Sequence, residues 1–268
     1  MNIISLTPFD LALAALLVLL LAFISSKMAL DIAPRLLIAA LRTTLQLALI
    51  GVVLKALFAN VNLLWIALIA SAMLIMAGRE VGARQHRRFV GWWGYGVGTL
   101  SMFISSFSVT LLALTVIIGN DPWYQPQYAI PLLGMLLGNT MNGISLGMDR
   151  LTTDAWRQRA VIESRLMLGE SWCDAIATIR RDALRVGMIP MINAMAAAGV
   201  VSLPGMMTGQ ILAGAPPMEA VKYQILIMFL ITAGTGFGTL TAVWLGARRL
   251  FDDRHRLRLE RLTHKEEH

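Results

Sequence analysis

The feature that most constrains this chain is the sorting of its charges. Long apolar stretches almost free of Asp, Glu, Lys and Arg alternate with segments that hold nearly all the basic residues. A run of about 18 or more apolar residues can cross a hydrocarbon core of about 30 Å as a helix. Only 15% of the 268 residues are charged, against about 25% in a soluble domain, and the mean hydropathy is +0.66. Pattern and composition point to one fold class, an all-α polytopic membrane helical bundle.

The apolar runs predict seven helices, at about 6–25, 36–57, 61–78, 92–118, 127–147, 188–213 and 222–246. Asp10 precedes the first run and Lys27 follows it, an order that reads as a retained helix rather than a cleaved signal peptide. With the N-terminus outside, 20 of the 23 Lys and Arg fall on the inner side; Lys55, Lys222 and Arg42 are the remainder. That distribution predicts seven crossings, N-out and C-in. "FANV" predicts a tight turn between the second and third helices. "GNDPWYQPQ" and "GAPPMEA" read as outer turns, with Trp123, Tyr124 and Tyr128 at headgroup level and Trp92 and Trp93 at the inner edge.

The chain divides into a permease-like body, 1–250, and a basic tail, 251–268. Within the body, residues 148–187 form a charged cytoplasmic segment of helical period. Thr153 or Asp154 is positioned to cap a helix there. The segment reads as two amphipathic helices folded at Leu168–Gly169. Ala175, Ile176, Ile179, Ala183 and Val186 make one apolar stripe, which either packs on the bundle or meets a partner.

Several function classes are excluded or weakened. The predicted spans carry no Asp, Glu, His or Lys in their interiors, which argues against a proton relay. No nucleophile–base set is visible, so the chain reads as a transport subunit rather than an enzyme, with no cofactor of its own. Each of the four lysines follows Ser26, Leu54, Val221 or His264, so no P-loop exists and any ATP must be bound by another subunit. The basic balance, +7, reflects topology rather than nucleic-acid binding. The single cysteine, Cys173, excludes an internal disulfide.

Neutral polar residues in the spans have two readings, solute path or interhelical glue. Gln46, Asn139, Asn142, Asn193 and Gln210 are the candidates, with Ser105, Ser106 and Ser108 in the fourth span. The sixth span carries Pro190 and Pro204, and a break at Pro204–Gly205 reads as a gate or path element, as in transporters with interrupted helices. Met135, Met141 and Met206 are weak soft-metal candidates; the alternative is that methionine fills irregular packing. Gly134/Gly138, Gly143/Gly147, Gly205/Gly209 and Gly234/Gly238 predict close helix contacts, within one chain or in a homodimer.

The motifs "IAALRTTLQLALIG", "LLGMLLGNTMNGISLGMDRL", "ESRLMLGES" and "VSLPGMMTGQILAGAPPMEAVKYQI" together resemble the FetB-type permease subunits of bacterial ABC transporters, described as iron exporters, whose plant relatives are linked to aluminium tolerance. The resemblance covers nearly the whole chain. It implies a multi-pass protein of the bacterial inner membrane, paired with an ATP-binding subunit that carries ATP and magnesium, with two copies of each. It also implies a coupling element. The coupling loop of importer permeases has Glu followed six residues later by Gly, a spacing matched by Glu163 and Gly169, so Glu163, Leu168, Gly169 and Glu170 are the expected coupling residues. The Ile-x-Leu-Pro part of that loop is not matched. Two other readings stay open: an ABC permease for an organic solute, such as a sugar nucleotide or a lipid-like compound, and a non-transporting membrane assembly protein.

Overall fold

The structure is a computed structural model that describes residues 7–59 and 61–263. Position 6 of the first expected helix, position 60 of the "FANV" turn, and the tail residues His264, Lys265 and His268 lie outside the described residues. The chain forms two compact units.

The first unit holds α1 (Pro8–Lys27) and α2 (Ala33–Ala59), with residues 212–214. Thr7 and Asp10 start α1 with a reciprocal capping box: Thr7 N–H donates to Asp10 Oδ2 at 2.8 Å and Asp10 N–H to Thr7 Oγ1 at 3.4 Å. Pro8 sits at the first helical position, where its missing N–H costs nothing. Both helices expose large aliphatic side chains, among them Leu13, Leu17, Leu41 and Leu45. A helix apolar all round suits lipid rather than water.

The second unit contains α3 (Leu63–Ala83), α4 (Trp92–Ile118), α5 (Pro126–Arg157), α6 (Arg159–Met167), α7 (Trp172–Ala175), α8 (Ala177–Ala197), all but the last residue of α9 (Gly205–Leu212), and α10 (Pro217–Arg249). Among the described residues, six helices are long and apolar enough to cross a membrane: α1 to α5 and α10. α4 is π-helical over Phe103–Phe107 and Ala113–Ile118. Ser105 and Thr110 hydroxyls donate to the carbonyls of Ser101 and Ser106 within it, at 2.8 and 2.6 Å, a back-bonding that disturbs a regular ladder.

The stretch expected as one sixth span, 188–213, is two pieces. α8 ends at Ala197, residues 198–204 are irregular, and α9 starts at Gly205. Gly199 takes φ +83, and Pro204 both lacks an N–H and holds Leu203 out of the helical region. Pro190, by contrast, is accommodated inside α8.

The helix boundaries expected around 148–187 also differ. α5 runs on to Arg157 and α8 begins at Ala177, so much of 148–187 is the prolonged end of two bundle helices. Thr153 and Asp154 lie inside α5 and cap nothing; Asp154 is buried and pairs with Arg150 Nε at 2.7 Å. Ala175, Ile176, Ile179 and Ala183 belong to the same core as Ile144, Leu151 and Val243. That stripe therefore packs on the bundle. The turn at Leu168–Gly169 falls where the sequence puts it, with Gly169 at φ +90.

α5 shares its two largest helix faces with α10 and α8, which also meet each other. Small residues make this possible. A Cβ at Gly143 would stand 2.6 Å from Thr235 Cγ2, one at Gly147 3.1 Å from Thr239 Cγ2, and one at Gly234 2.8 Å from Leu136 Cδ2. Gly138, Gly205 and Gly209 meet nothing within 4 Å, so only part of the glycine pattern marks contacts in this chain. Residues 251–263 return to the bundle: Phe251 and Leu262 are buried, Val90 N–H donates to Arg261 O and Thr263 N–H to Arg88 O, both at 2.8 Å.

Candidate functional site: a buried hydroxyl seam and an arginine-rich platform

Halfway along α4, α5 and α10 the packed faces carry hydroxyls among their hydrocarbon. Ser101, Ser105, Ser106 and Thr110 of α4, Thr140 and Ser145 of α5, and Thr235 and Thr239 of α10 are all buried. Ser106 and Thr140 hydroxyls lie 3.4 Å apart, Ser106 donating. Gly238 admits them: a Cβ there would come 2.7 Å from Ser105 Oγ. Among the described residues the hydroxyls of Ser101, Ser145, Thr235 and Thr239 have no hydrogen-bond partner. Buried unpaired polar groups are costly, and their concentration in mid-helix is a chemically distinct feature of the bundle. The sequence singles out Ser105 and Ser106 here but misses Thr140, Thr235 and Thr239. Their signal was available as Thr and Gly alternating at helical spacing in "GNTMNG" and "TAGTGFGTLT".

The expected path residues do not converge on this seam. Gln46 is exposed on α2. Asn139 donates to its own Met135 carbonyl at 2.8 Å. Asn142 is exposed and accepts from Arg84 Nη1 at 2.6 Å. Asn193 is exposed on α8; Pro204 and Gly205 form the α9 entrance, and Gln210 on α9 has a buried, unpartnered Oε1. Met135 and Met206 line one small cleft with Tyr128 and Tyr223, whereas Met141 packs against the core of α5 and α10. Among the described residues no group of three or more His, Cys, Asp or Glu is placed to hold a metal ion. A separate cavity of about 460 Å³ between α3, α4 and α5 is walled by apolar side chains, including Phe103 and Phe107 of the π-helical stretch, with Trp123 and Tyr124 in its lining.

The arginine-rich end is built differently. α6 and α7 meet at an exposed turn where Met167 and Leu168 are 85% and 83% exposed. Glu163 is exposed on α6, while Glu170 is tied to Arg165 Nε at 2.9 Å and so braces the turn. The tail supports it from below: Trp172 N–H donates to His255 Nδ1 at 3.1 Å, and Trp172 stacks near Phe251. Asp252 organises the tail. The Arg256 N–H, with the Arg256 guanidinium and the Arg254 N–H, holds its carboxyl at about 2, against a partial burial that would raise it. On the neighbouring loop, His86 N–H donates to Asp149 Oδ1 at 2.6 Å and Thr152 Oγ1 to Arg87 O at 2.8 Å.

A family model described as "Uncharacterised protein family (UPF0014)" matches residues 8–251. The chain belongs to the UPF0014 family. It is 40% identical to the UPF0014 membrane protein slr1647 of Synechocystis sp., over 81% of this chain and 83% of that one. It is 31% identical to the probable iron export permease protein FetB of Escherichia coli, over 99% of this chain and 100% of that one. It is 33% identical to the protein ALUMINUM SENSITIVE 3 of Arabidopsis thaliana, over 87% and 83% respectively. No solved structure matches it. The UPF0014 member described here is thus a multi-pass membrane protein, with distant likeness to FetB and to a plant protein named for aluminium sensitivity.

Proposed function

We propose that this protein is the membrane-spanning permease subunit of an ABC exporter that moves iron or a related metal species. The observation that carries the reading is the braced, apolar turn at Met167–Leu168, exposed at the arginine-rich end between helices that lead directly to α5 and α8. A rigid exposed turn linked to long bundle helices suits mechanical coupling to an ATP-binding subunit. The end-to-end likeness to FetB supports the same reading. Glu163, Leu168, Gly169 and Glu170 are the coupling residues in it. ATP and magnesium belong to the partner, and two copies of each subunit form the machine in the bacterial inner membrane.

In this reading α8 and α9 make an interrupted seventh crossing, the N-terminus faces out and the arginine-rich end faces in. Residues 1–250 are the permease body and 251–268 its basic tail. The path runs past the hydroxyl seam, with Asn139, Asn142, Asn193, Pro204, Gly205 and Gln210 contributing as α9 and its neighbours move. Closure of the partner subunits on ATP favours one of two bundle states, and only by their difference in affinity.

Co-reconstitution of the chain with its cognate ATPase in iron-loaded vesicles tests the proposal. ATP-dependent iron movement is expected, and Leu168→Asp is expected to abolish ATPase association while leaving the bundle folded. Iron movement no greater than with an ATPase-dead partner would sink the metal assignment. The apolar cavity beside α4 favours one second reading, a lipid-like organic solute; the same vesicles then show ATP-dependent movement of that solute and none of iron.

A further inference from the structure

Several arginines at this end of the bundle are paired with acids: Arg150 with Asp154, Arg165 with Glu170, Arg248 with Asp253, and Arg256 and Arg258 with Asp252. Arg249 and Arg261 are held differently, against each other. Arg261 Nη1 donates to the carbonyl oxygens of Arg249 and Phe251, at 2.7 and 3.2 Å, so two positive charges are held on neighbouring backbone. Among the described residues no carboxylate lies within ion-pairing distance of either. Arg249 Nε is buried and unpartnered, and its guanidinium stands over the Trp93 ring at 4.5 Å.

Three further features converge there. The return of the tail fixes Arg261 beside the loop that opens α4, through the Val90 N–H. α4 starts at Gly91 with no side-chain cap, so its first N–H groups add positive potential. From Trp93 a strip runs along α4 through half-buried Gly96 to the exposed Leu100 and Ile104 at helical spacing, with Gly96 open above its Cα and Trp92 84% exposed alongside.

We propose that Arg249, Arg261 and Trp93 form a binding site for the phosphate of an anionic phospholipid, whose acyl chain lies along the Trp93–Leu100–Ile104 strip. The two guanidiniums supply fork-shaped donors suited to phosphate oxygens, the indole backs one of them, and the strip explains why a lipid rather than a free phosphate occupies the site. The proposal needs only the membrane placement of the bundle and is independent of transport.

Native mass spectrometry of the purified full chain, titrated with phosphatidylglycerol or phosphatidylcholine, tests it. The wild type should retain phosphatidylglycerol about tenfold more tightly than the Arg249→Gln/Arg261→Gln double variant. Arg256→Gln, which also removes a positive charge but from a paired site, should bind like the wild type. Trp93→Leu keeps both charges and should weaken binding about threefold, which keeps the site testable if the double variant unfolds. Equal retention by the double variant and Arg256→Gln, equal retention of the two lipids, or displacement of the lipid by inorganic phosphate at about its own concentration would each overturn the assignment.

Discussion

Replacing Gly187 by alanine tests whether the bundle depends on backbone contact between α5, α8 and α10. A Cβ at Gly187 would lie 2.7 Å from the Gly143 carbonyl oxygen and 2.7 Å from Thr239 Cγ2. Ordinary contacts at such positions are longer, and a main-chain carbonyl inside a helix cannot rotate aside. The helices must separate by several tenths of an ångström, which also weakens the neighbouring contacts of Gly143 and Gly147. Overpacking of this kind costs about 1–3 kcal/mol, while alanine recovers at most about 1 kcal/mol of helix propensity. The net loss expected for Gly187→Ala is about 1–2 kcal/mol. Gly138 is the internal control: it lies in α5 with nothing within 4 Å of its Cβ position, so Gly138→Ala should be neutral or stabilising by up to about 1 kcal/mol. Unfolding of both variants in mixed detergent micelles, followed by far-UV circular dichroism against denaturing detergent, gives the comparison. If Gly187→Ala proved as stable as Gly138→Ala, helix apposition would not be what those glycines provide.

Four other outcomes are expected. Thr239→Val removes an unpartnered buried hydroxyl and should leave stability unchanged or raise it by up to about 1 kcal/mol, whereas Thr140→Val strands Ser106 and should cost about 1 kcal/mol in the same unfolding assay. Asp252 has its carboxyl depressed from 3.8 to about 2; the stability it lends the tail is complete above about pH 4 and is lost as the pH falls through 2, so amide exchange at 252–257 should accelerate over that window only, and Asp252→Asn should abolish the pH dependence. Arg150→Gln leaves Asp154 buried without its cation and should cost about 1–2 kcal/mol, less than a fully buried pair because Arg150 is half exposed, read as a lowered unfolding midpoint. Phe251→Ala removes a fully packed ring between the bundle and the tail and should cost about 3–5 kcal/mol, with the amides of 88–90 and 261–263 losing protection first.

How much of this was legible in the sequence depends on which physical effect governs each element. Hydrophobic length governs the long helices, and α1 to α5 and α10 appear close to where their apolar runs lie. The stretch 188–213 is long and apolar too, yet it breaks at 198–204. The break was legible in kind, since Pro204 was read as an interruption, but not in extent, because Gly199 adds a left-handed residue whose effect hydropathy does not register. The charged segment 148–187 misled in the opposite sense. Its polarity placed a helix end near 147, while its helical period carried α5 on to Arg157, and backbone hydrogen bonding followed the period rather than the polarity. Asp154 illustrates the difference: an acid that reads as a cap by sequence is a buried ion-pair partner in the fold.

The functional surfaces were less legible for a related reason. Asparagines and glutamines stand out in apolar runs, but a helix satisfies them locally or turns them outward, as Asn139 and Asn142 show. Threonine and serine are quieter in sequence because they can bond to their own helix, and only packing reveals whether they do. At Thr235 and Thr239 they do not, and the glycines that bring α5, α8 and α10 together are what bury them. The close approach that stabilises the bundle therefore also creates its unsatisfied polar seam. Any motion that parts these helices hydrates those hydroxyls and loses apolar contact at the same positions, so the two effects oppose one another. For the permease proposed above, such a balance would narrow the gap between two bundle states, which is what a coupled partner needs in order to switch them.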